Sequence, residues 1–219
     1  MPRARLSLPA ILHEDRECLV VDKPAGLAVH PGPRTCDSLE TRLAGAGLVW
    51  KPVHRLDTDT SGCLLLAKRP ASLRRLMGAF AARQVEKVYL ALVAPAPEAA
   101  SGVVKAPLVK RSRPGTGWRM DVAEGGLPAV TRWEVLARRD GVALVRFRPE
   151  TGRTHQLRVH ATRLGAGCAI VGDARYGRGE PGGLMLHAHA LGFAGADGQW
   201  REVVAPLPER FRARGFALS

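Results

Sequence analysis

Between His54 and Gly62 the chain crowds two carboxylates, an imidazole, a guanidinium and three hydroxyls into nine residues, His54-Arg55-Leu56-Asp57-Thr58-Asp59-Thr60-Ser61-Gly62. A carboxylate in such company can act as a nucleophile or a base. Short loops carried by a strand are common places for reacting groups. Local spacing leaves the choice open, because the same residues also make an ordinary polar turn with an Arg–Asp ion pair and hydroxyl caps. A second cluster, Thr151-Gly152-Arg153-Thr154-His155-Gln156-Leu157-Arg158-Val159-His160, sets guanidinium groups, imidazoles and an amide at the start of a helical pattern. Helix starts and arginine forks both suit phosphate or carboxylate partners. A solvated basic helix face is its plainer reading.

The elements that must position these groups are legible in outline. Gly62 to Lys68 is a continuous apolar run of strand length, so the first cluster lies at the mouth of a buried strand. Pro70 then opens a helix from Ala71 to Arg83, with Leu73, Leu76 and Phe80 at helical spacing. Cys18 to Asp22 reads as a strand stopped by Lys23-Pro24-Ala25-Gly26, and Leu27 to His30 as a second strand. Val88 to Val93 is another, after which Ala94-Pro95-Ala96-Pro97 breaks the pattern and suggests a division into halves. Val103-Val104, Val130 to Leu136 and Val142 to Phe147 read as strands, with Arg139-Asp140-Gly141 as a hairpin connection. From Thr154 to Leu164 the pattern is helical, with Leu157, Ala161 and Leu164 on one face, Thr151 or Thr154 as cap and Gly165 as stop. A strand at Leu184 to Phe193 and a helix near Pro208 to Phe216 complete the chain. The expected fold is α+β, a single domain around a mixed, mainly antiparallel sheet flanked by helices.

Of the 219 residues, 33 are Lys or Arg and 20 Asp or Glu, a formal charge of +13, with a pI near 10.7. That balance points to a polyanionic partner, the alternative being an Arg-rich solvated surface. The basic residues, among them Arg69, Arg74, Arg75, Lys110, Arg111 and Arg113, run through the body of the chain and form no tail. Aromatic residues, at 5%, argue against a stacking platform for single strands. Cys18, Cys36, Cys63 and Cys168 have no zinc or redox spacing and are expected to be reduced. The apolar stretch after Met1-Pro2-Arg3-Ala4-Arg5 is short and broken by Pro9 and His13, a poor signal peptide, and no apolar run approaches a membrane span. A cytoplasmic protein is expected.

In combination the clusters are more specific. His-Arg-Leu-Asp-x-x-Thr-Ser-Gly at 54–62, then Lys87-Val88-Tyr89, then Gly-Arg-Thr-His-Gln-Leu-Arg-Val-His at 152–160 resembles the RluA family of RNA pseudouridine synthases. Ile11 to Asp15, Val20 to Leu27, Gly172-Asp173-Ala174-Arg175-Tyr176-Gly177 and Leu184-Met185-Leu186-His187-Ala188 agree with the family pattern, so the resemblance spans roughly residues 11 to 206. It departs before the Ala-x-Thr segment, where the family often has Lys and this chain has Leu127-Pro128-Ala129-Val130-Thr131, and at Gly183, where the family often has a basic or polar residue, positions that bear on RNA contacts more than on chemistry.

The resemblance implies a catalytic domain over 11–219, in two halves with an active-site cleft between them, after a short extension at 1–10 and without a separate N-terminal RNA-binding domain. It implies isomerisation of uridine in ribosomal or transfer RNA, without cofactor or metal, on a base flipped out of its stack. Asp57 is then the nucleophile, Arg158 its charge partner and Tyr89 the residue against the uracil. Arg55 fills or braces the space the nucleotide leaves, and Leu186 is a floor beneath the base. RNA is the expected partner, with no membrane, no obligate protein partner and a monomeric state. Two rivals stand beside it: a metal-dependent nuclease using His54, Asp57 and Asp59, and a non-catalytic RNA-binding protein.

Overall fold

A computed structural model describes residues 7–33, 35–113 and 117–218. Residues 1–6 of the N-terminal extension, and with them its basic start, lie outside the described residues, as does the side chain of Arg113. In chain order the elements are β1 (Ala10–Glu14), β2 (Cys18–Lys23), α1 (Leu39–Gly45), β3 (Lys51–Pro52), β4 (Ser61–Ala67), α2 (Pro70–Ala81) and β5 (Glu86–Ala94). There follow β6 (Ser101–Lys105), β7 (Leu108–Arg113), β8 (Gly117–Val122), β9 (Val130–Arg139), β10 (Val142–Pro149) and α3 (Gln156–Ala161). The chain closes with β11 (Ala169–Ile170), β12 (Leu186–Ala194), β13 (Trp200–Val204) and α4 (Glu209–Arg212). Two compact units result, one of Met1–Glu86 with Ala188–Pro206, the other of Lys87–His187 with Leu207–Ser219. The α+β class is as expected, and the ladders described below are antiparallel.

In the first unit the strand order is β1-β2-β4-β12, with β3 against β4 and β13 against β12. β2 and β4 pair from Cys18↔Ala67 to Lys23↔Gly62. β4 is buried along its whole length, which is why it reads as a continuous apolar run and not as an alternation. Cys18, Val20, Cys63, Leu65 and Ala67, two apart along their strands, join Leu76 of α2, Leu191 and Phe193 in one apolar cluster. Pro70 stands at the first turn of α2, where its missing N–H costs nothing.

In the second unit the order is β5-β10-β9-β6, with β11 against β5, while β7 and β8 form a separate two-stranded ribbon. Asp140 and Gly141 both take positive φ and close a two-residue hairpin in which Arg139 faces Val142, the turn that matches strand twist. Leu157, Ala161 and Leu164 enter the same core as Leu90, Leu92, Val145, Phe147 and Phe211, as the helical wheel requires.

Four local expectations change. Leu27 to His30 is no strand: the carbonyls of Ala28 and Val29 accept from the first amides of α1, Leu39 and Glu40, so this segment completes a helix start and leaves only a bridge between Ala28 and Ser38. The helix expected over 154–164 is the six-residue α3, preceded by His155 at φ 52° and without a side-chain cap. Neither threonine caps it, because the Thr151 hydroxyl is engaged with the Gln156 side chain. The C-terminal helix is confined to α4, since the chain turns at Gly215, φ 78°. Finally, the division into units falls at Glu86 and not at the Pro95–Pro97 break, because Ala96 N–H bonds to Gly141 O inside the second unit. Cys18, Cys63 and Cys168 are buried free thiols and Cys36 an exposed one. No helix among the described residues is long and apolar enough to cross a membrane.

Candidate active site

The first cluster is a loop between β3 and β4, held mainly through its backbone. Val53 N–H bonds to Leu65 O at 2.9 Å at the loop's start, and Thr60 N–H reaches back to Asp57 O at 3.0 Å. Between them Val53 and Leu56 are buried, Asp57 is half-buried, and Arg55 and Asp59 are exposed. Thr58 O accepts from Gly26 N–H at 2.9 Å. It also accepts from Lys23 Nζ at 3.0 Å, while the same ammonium reaches Pro24 O at 2.8 Å and Leu27 O at 2.7 Å. Lys23 is fully buried, and its three N–H donors meet three carbonyls. Such an ammonium escapes the usual burial penalty by replacing water with fixed dipoles. Lys23 therefore ties the Pro24–Leu27 loop to the residue beside Asp57.

Gly62 completes the support. Its φ is +108°, and a Cβ there would collide with the carbonyl oxygen of Ala188, so the exit from the loop into β4 requires glycine. His54 is part of the scaffold: its Nε2 accepts from Leu65 N–H at 3.1 Å, and its ring stacks on Phe80 with centroids 4.6 Å apart. With Nε2 so engaged, the nuclease rival would have to bind its metal through Nδ1. Among the described residues the one group of three ligand types close enough to hold an ion is His13, Asp15 and Cys18, away from this loop in sequence.

The second cluster is held by side chains. Gln156 is buried and uses both ends of its amide. Its oxygen accepts from the Thr151 hydroxyl at 2.7 Å and from Arg153 N–H at 3.0 Å, and its nitrogen donates to Val130 O and Thr131 Oγ1, each at 3.0 Å. This amide fixes the turn that starts α3. His160 is fully buried. Its Nε2 donates to Ala106 O at 3.0 Å, because a carbonyl can only accept, and its Nδ1 therefore accepts from the Thr131 hydroxyl at 2.8 Å. Burial holds its pKa below the ordinary imidazole value, so it is a neutral structural group.

Arg158, 8% exposed, directs Nε and Nη2 at the two oxygens of Asp173, each at 2.8 Å. Burial by itself would raise the Asp173 pKa, yet the Arg158 guanidinium and the amides of Arg175 and Tyr176 hold it below the usual carboxylate value. Tyr89 is half-buried on β5 opposite Phe147 of β10 and packs against the core. Leu186, at the start of β12, is part of that same core. Tyr89, Arg158 and Leu186 thus share the second unit, whereas Arg55 and Asp57 lie in the first.

Nearby, Trp118 of the β7–β8 ribbon is stacked on His155 at 5.0 Å, with Lys110 Nζ at 4.7 Å and Arg175 at 5.4 Å from its ring centroid. Sequence reasoning missed Lys23, Asp173, Tyr176 and Trp118 as members of these supports. A lysine inside an apolar strand was the visible signal for the first. For Asp173 and Tyr176 the signal was the Gly172 to Gly177 motif, quoted without a role.

The α+β frame thus carries an acidic loop pinned by a buried lysine in one unit and an arginine gripped by a buried carboxylate in the other. A family model described as RNA pseudouridylate synthase matches residues 17–163, and this chain belongs to the RluA family of RNA pseudouridine synthases and is an enzyme of that class. It is 47% identical to an uncharacterized RNA pseudouridine synthase of Zymomonas mobilis, over 94% of this chain and 97% of that one. It is 38% identical to ribosomal large subunit pseudouridine synthase C of Yersinia pestis, over 92% of this chain and 67% of the relative. Among solved structures, human RNA pseudouridylate synthase domain containing 1 superposes with a TM-score of 0.77 at 30% identity, covering 94% of this chain and 86% of that one.

Proposed function

We propose that this enzyme isomerises specific uridines of ribosomal or transfer RNA to pseudouridine, with Asp57 as nucleophile. The reaction breaks the bond from ribose C1′ to uracil N1, turns the base and joins C1′ to C5, with no net redox change. It needs no cofactor and no metal. Asp57 attacks C1′ as a carboxylate while the C1′–N1 bond breaks, and is displaced when C1′ joins C5. Arg158 is the cation that stabilises its charge, and Tyr89 lies against the uracil and takes part in moving the C5 proton, whose loss is balanced by protonation of N1. Arg55 braces the space left by the flipped nucleotide, and Leu186 is a floor beneath the base. The catalytic domain spans 11–219, and the protein works in the cytoplasm as a monomer, with RNA its partner and no obligate protein partner.

The observation that carries this reading is the anchoring of Asp57, in a chain of this family, on a loop whose next carbonyl is tied down by Lys23 and Gly26. A nucleophile so held loses little freedom when substrate arrives. The name of the Yersinia pestis relative favours ribosomal RNA within the pair of substrates. Distributed Lys and Arg contribute phosphate contacts, so affinity falls as salt rises.

The test is to map pseudouridines in total RNA with and without the gene, then to reproduce each lost site with purified enzyme in the presence of a chelator. Sites that disappear from ribosomal RNA and return in vitro are expected. An unchanged map under native expression counts against the reading, and RNA cleavage lost with chelator would favour a nuclease.

A further inference from the structure

Arg158 is held on more than its ionic edge. Asp173, whose side chain is fully buried, takes the Nε–Nη2 edge of the guanidinium with both oxygens. The carboxylate is itself oriented, because Oδ1 also accepts from Arg175 N–H at 2.9 Å and Tyr176 N–H at 3.1 Å. The ring of Tyr176 meets the guanidinium, its centroid 5.2 Å from the central carbon. That ring is anchored in turn: its hydroxyl accepts from Met120 N–H at 2.9 Å and meets His155 Nδ1 at 2.8 Å. Asp173, Arg175 and Tyr176 are one short turn after β11, closed by Gly177 N–H on Asp173 O. One turn thus presents both a carboxylate and an aromatic ring to a single arginine.

A buried ion pair is weak evidence for stability, since apolar residues of similar volume often pack as well. What the pair does secure is orientation. A free arginine side chain has many rotamers, and a bidentate edge contact with a ring contact leaves one. The Asp173 grip does not use Nη1.

We infer that Asp173 and Tyr176 are positioning residues of the isomerisation site, which hold the Arg158 guanidinium in its working orientation before RNA binds. The inference rests on the reading of Arg158 as the cation of that site. Both residues act through Arg158.

Single-turnover conversion of a substrate RNA, measured beside RNA affinity and thermal unfolding, tests it. Folded Asp173→Asn is expected to lose about 10- to 100-fold in rate, with RNA affinity nearly unchanged. In an Arg158→Ala background the same substitution should cost little more, because residues that act as a unit are not additive. Wild-type rate in folded Asp173→Asn, or equal losses in the two backgrounds, overturns the inference. If Arg158→Ala keeps the wild-type rate, the reading of Arg158 fails first and the inference with it. Should Asp173→Asn not fold, Tyr176→Leu is expected to slow conversion more than Tyr176→Phe, which keeps the ring against Arg158. Equal rates for these two variants would overturn the proposed role of the ring.

Discussion

The two segments that carry the candidate chemistry are held by opposite means. Around Asp57 the peptide path itself is fixed, by backbone bonds, by Lys23 on three carbonyls and by the close approach at Gly62. Around Arg158 the functional group is fixed, by Asp173 and Tyr176, while Gln156 sets the turn before its helix. The difference follows from side-chain length. An aspartate has two rotatable bonds, so placing its backbone nearly places its carboxylate. An arginine has a long stem, so a well-placed helix still leaves its fork undetermined.

The largest expected effect removes the group that the first segment exists to hold. Asp57→Ala should lower isomerisation by about 1,000-fold or more while RNA binding and thermal unfolding stay near wild type, as measured by conversion of RNA and by filter binding. Activity at wild-type level would remove Asp57 from the chemistry.

Next comes Arg158→Ala, which leaves the Asp173 carboxylate buried without its cation. A loss of about 3–5 kcal/mol in folding stability is expected, together with a loss of rate, read by urea unfolding and single-turnover kinetics. Arg158→Lys should recover part of both, because an ammonium supplies charge without the planar fork.

Lys23→Met sharpens the contrast from the other side. It leaves carbonyls of Pro24, Leu27 and Thr58 without this donor, and a destabilisation of about 3 kcal/mol is expected, with slowed conversion because the loop beside Asp57 loosens. If stability fell while the rate per folded molecule held, Lys23 would support the fold and not the loop's precision.

The smallest effect is a pH dependence. His160 has its pKa depressed by burial, so the unfolded chain takes up a proton before the folded one does. The stability His160 contributes is present above the unfolded value of about 6.5 and is lost as pH falls from there through the folded value. Urea unfolding between neutral and mildly acidic pH should show this decline, and His160→Gln should reduce it.

Much of this frame was legible in the residues. The continuous apolar run of β4, the Pro70 start of α2 and the turn at Asp140-Gly141 follow from local rules, and each stands as read. The failures are places where a distant partner took a local group. Leu27 to His30 has strand composition, yet its carbonyls end the orphan amides of α1. Thr151 has the chemistry of a cap, yet its hydroxyl is claimed by Gln156 and by Val130 N–H.

By itself, the sequence determined the class: the order of the His54–Gly62, Tyr89 and Gly152–His160 segments names the family, while the charge, which an Arg-rich solvated surface would also give, only agrees with a polyanionic partner. It could do so because motif order and composition are properties of the chain. What holds Asp57 and Arg158 in place was decided only by the tertiary structure. Lys23 lies 35 residues from Thr58 and Asp173 lies 15 from Arg158. No local preference singles out either partner, since burial and a matched geometry arise only when the chain has folded.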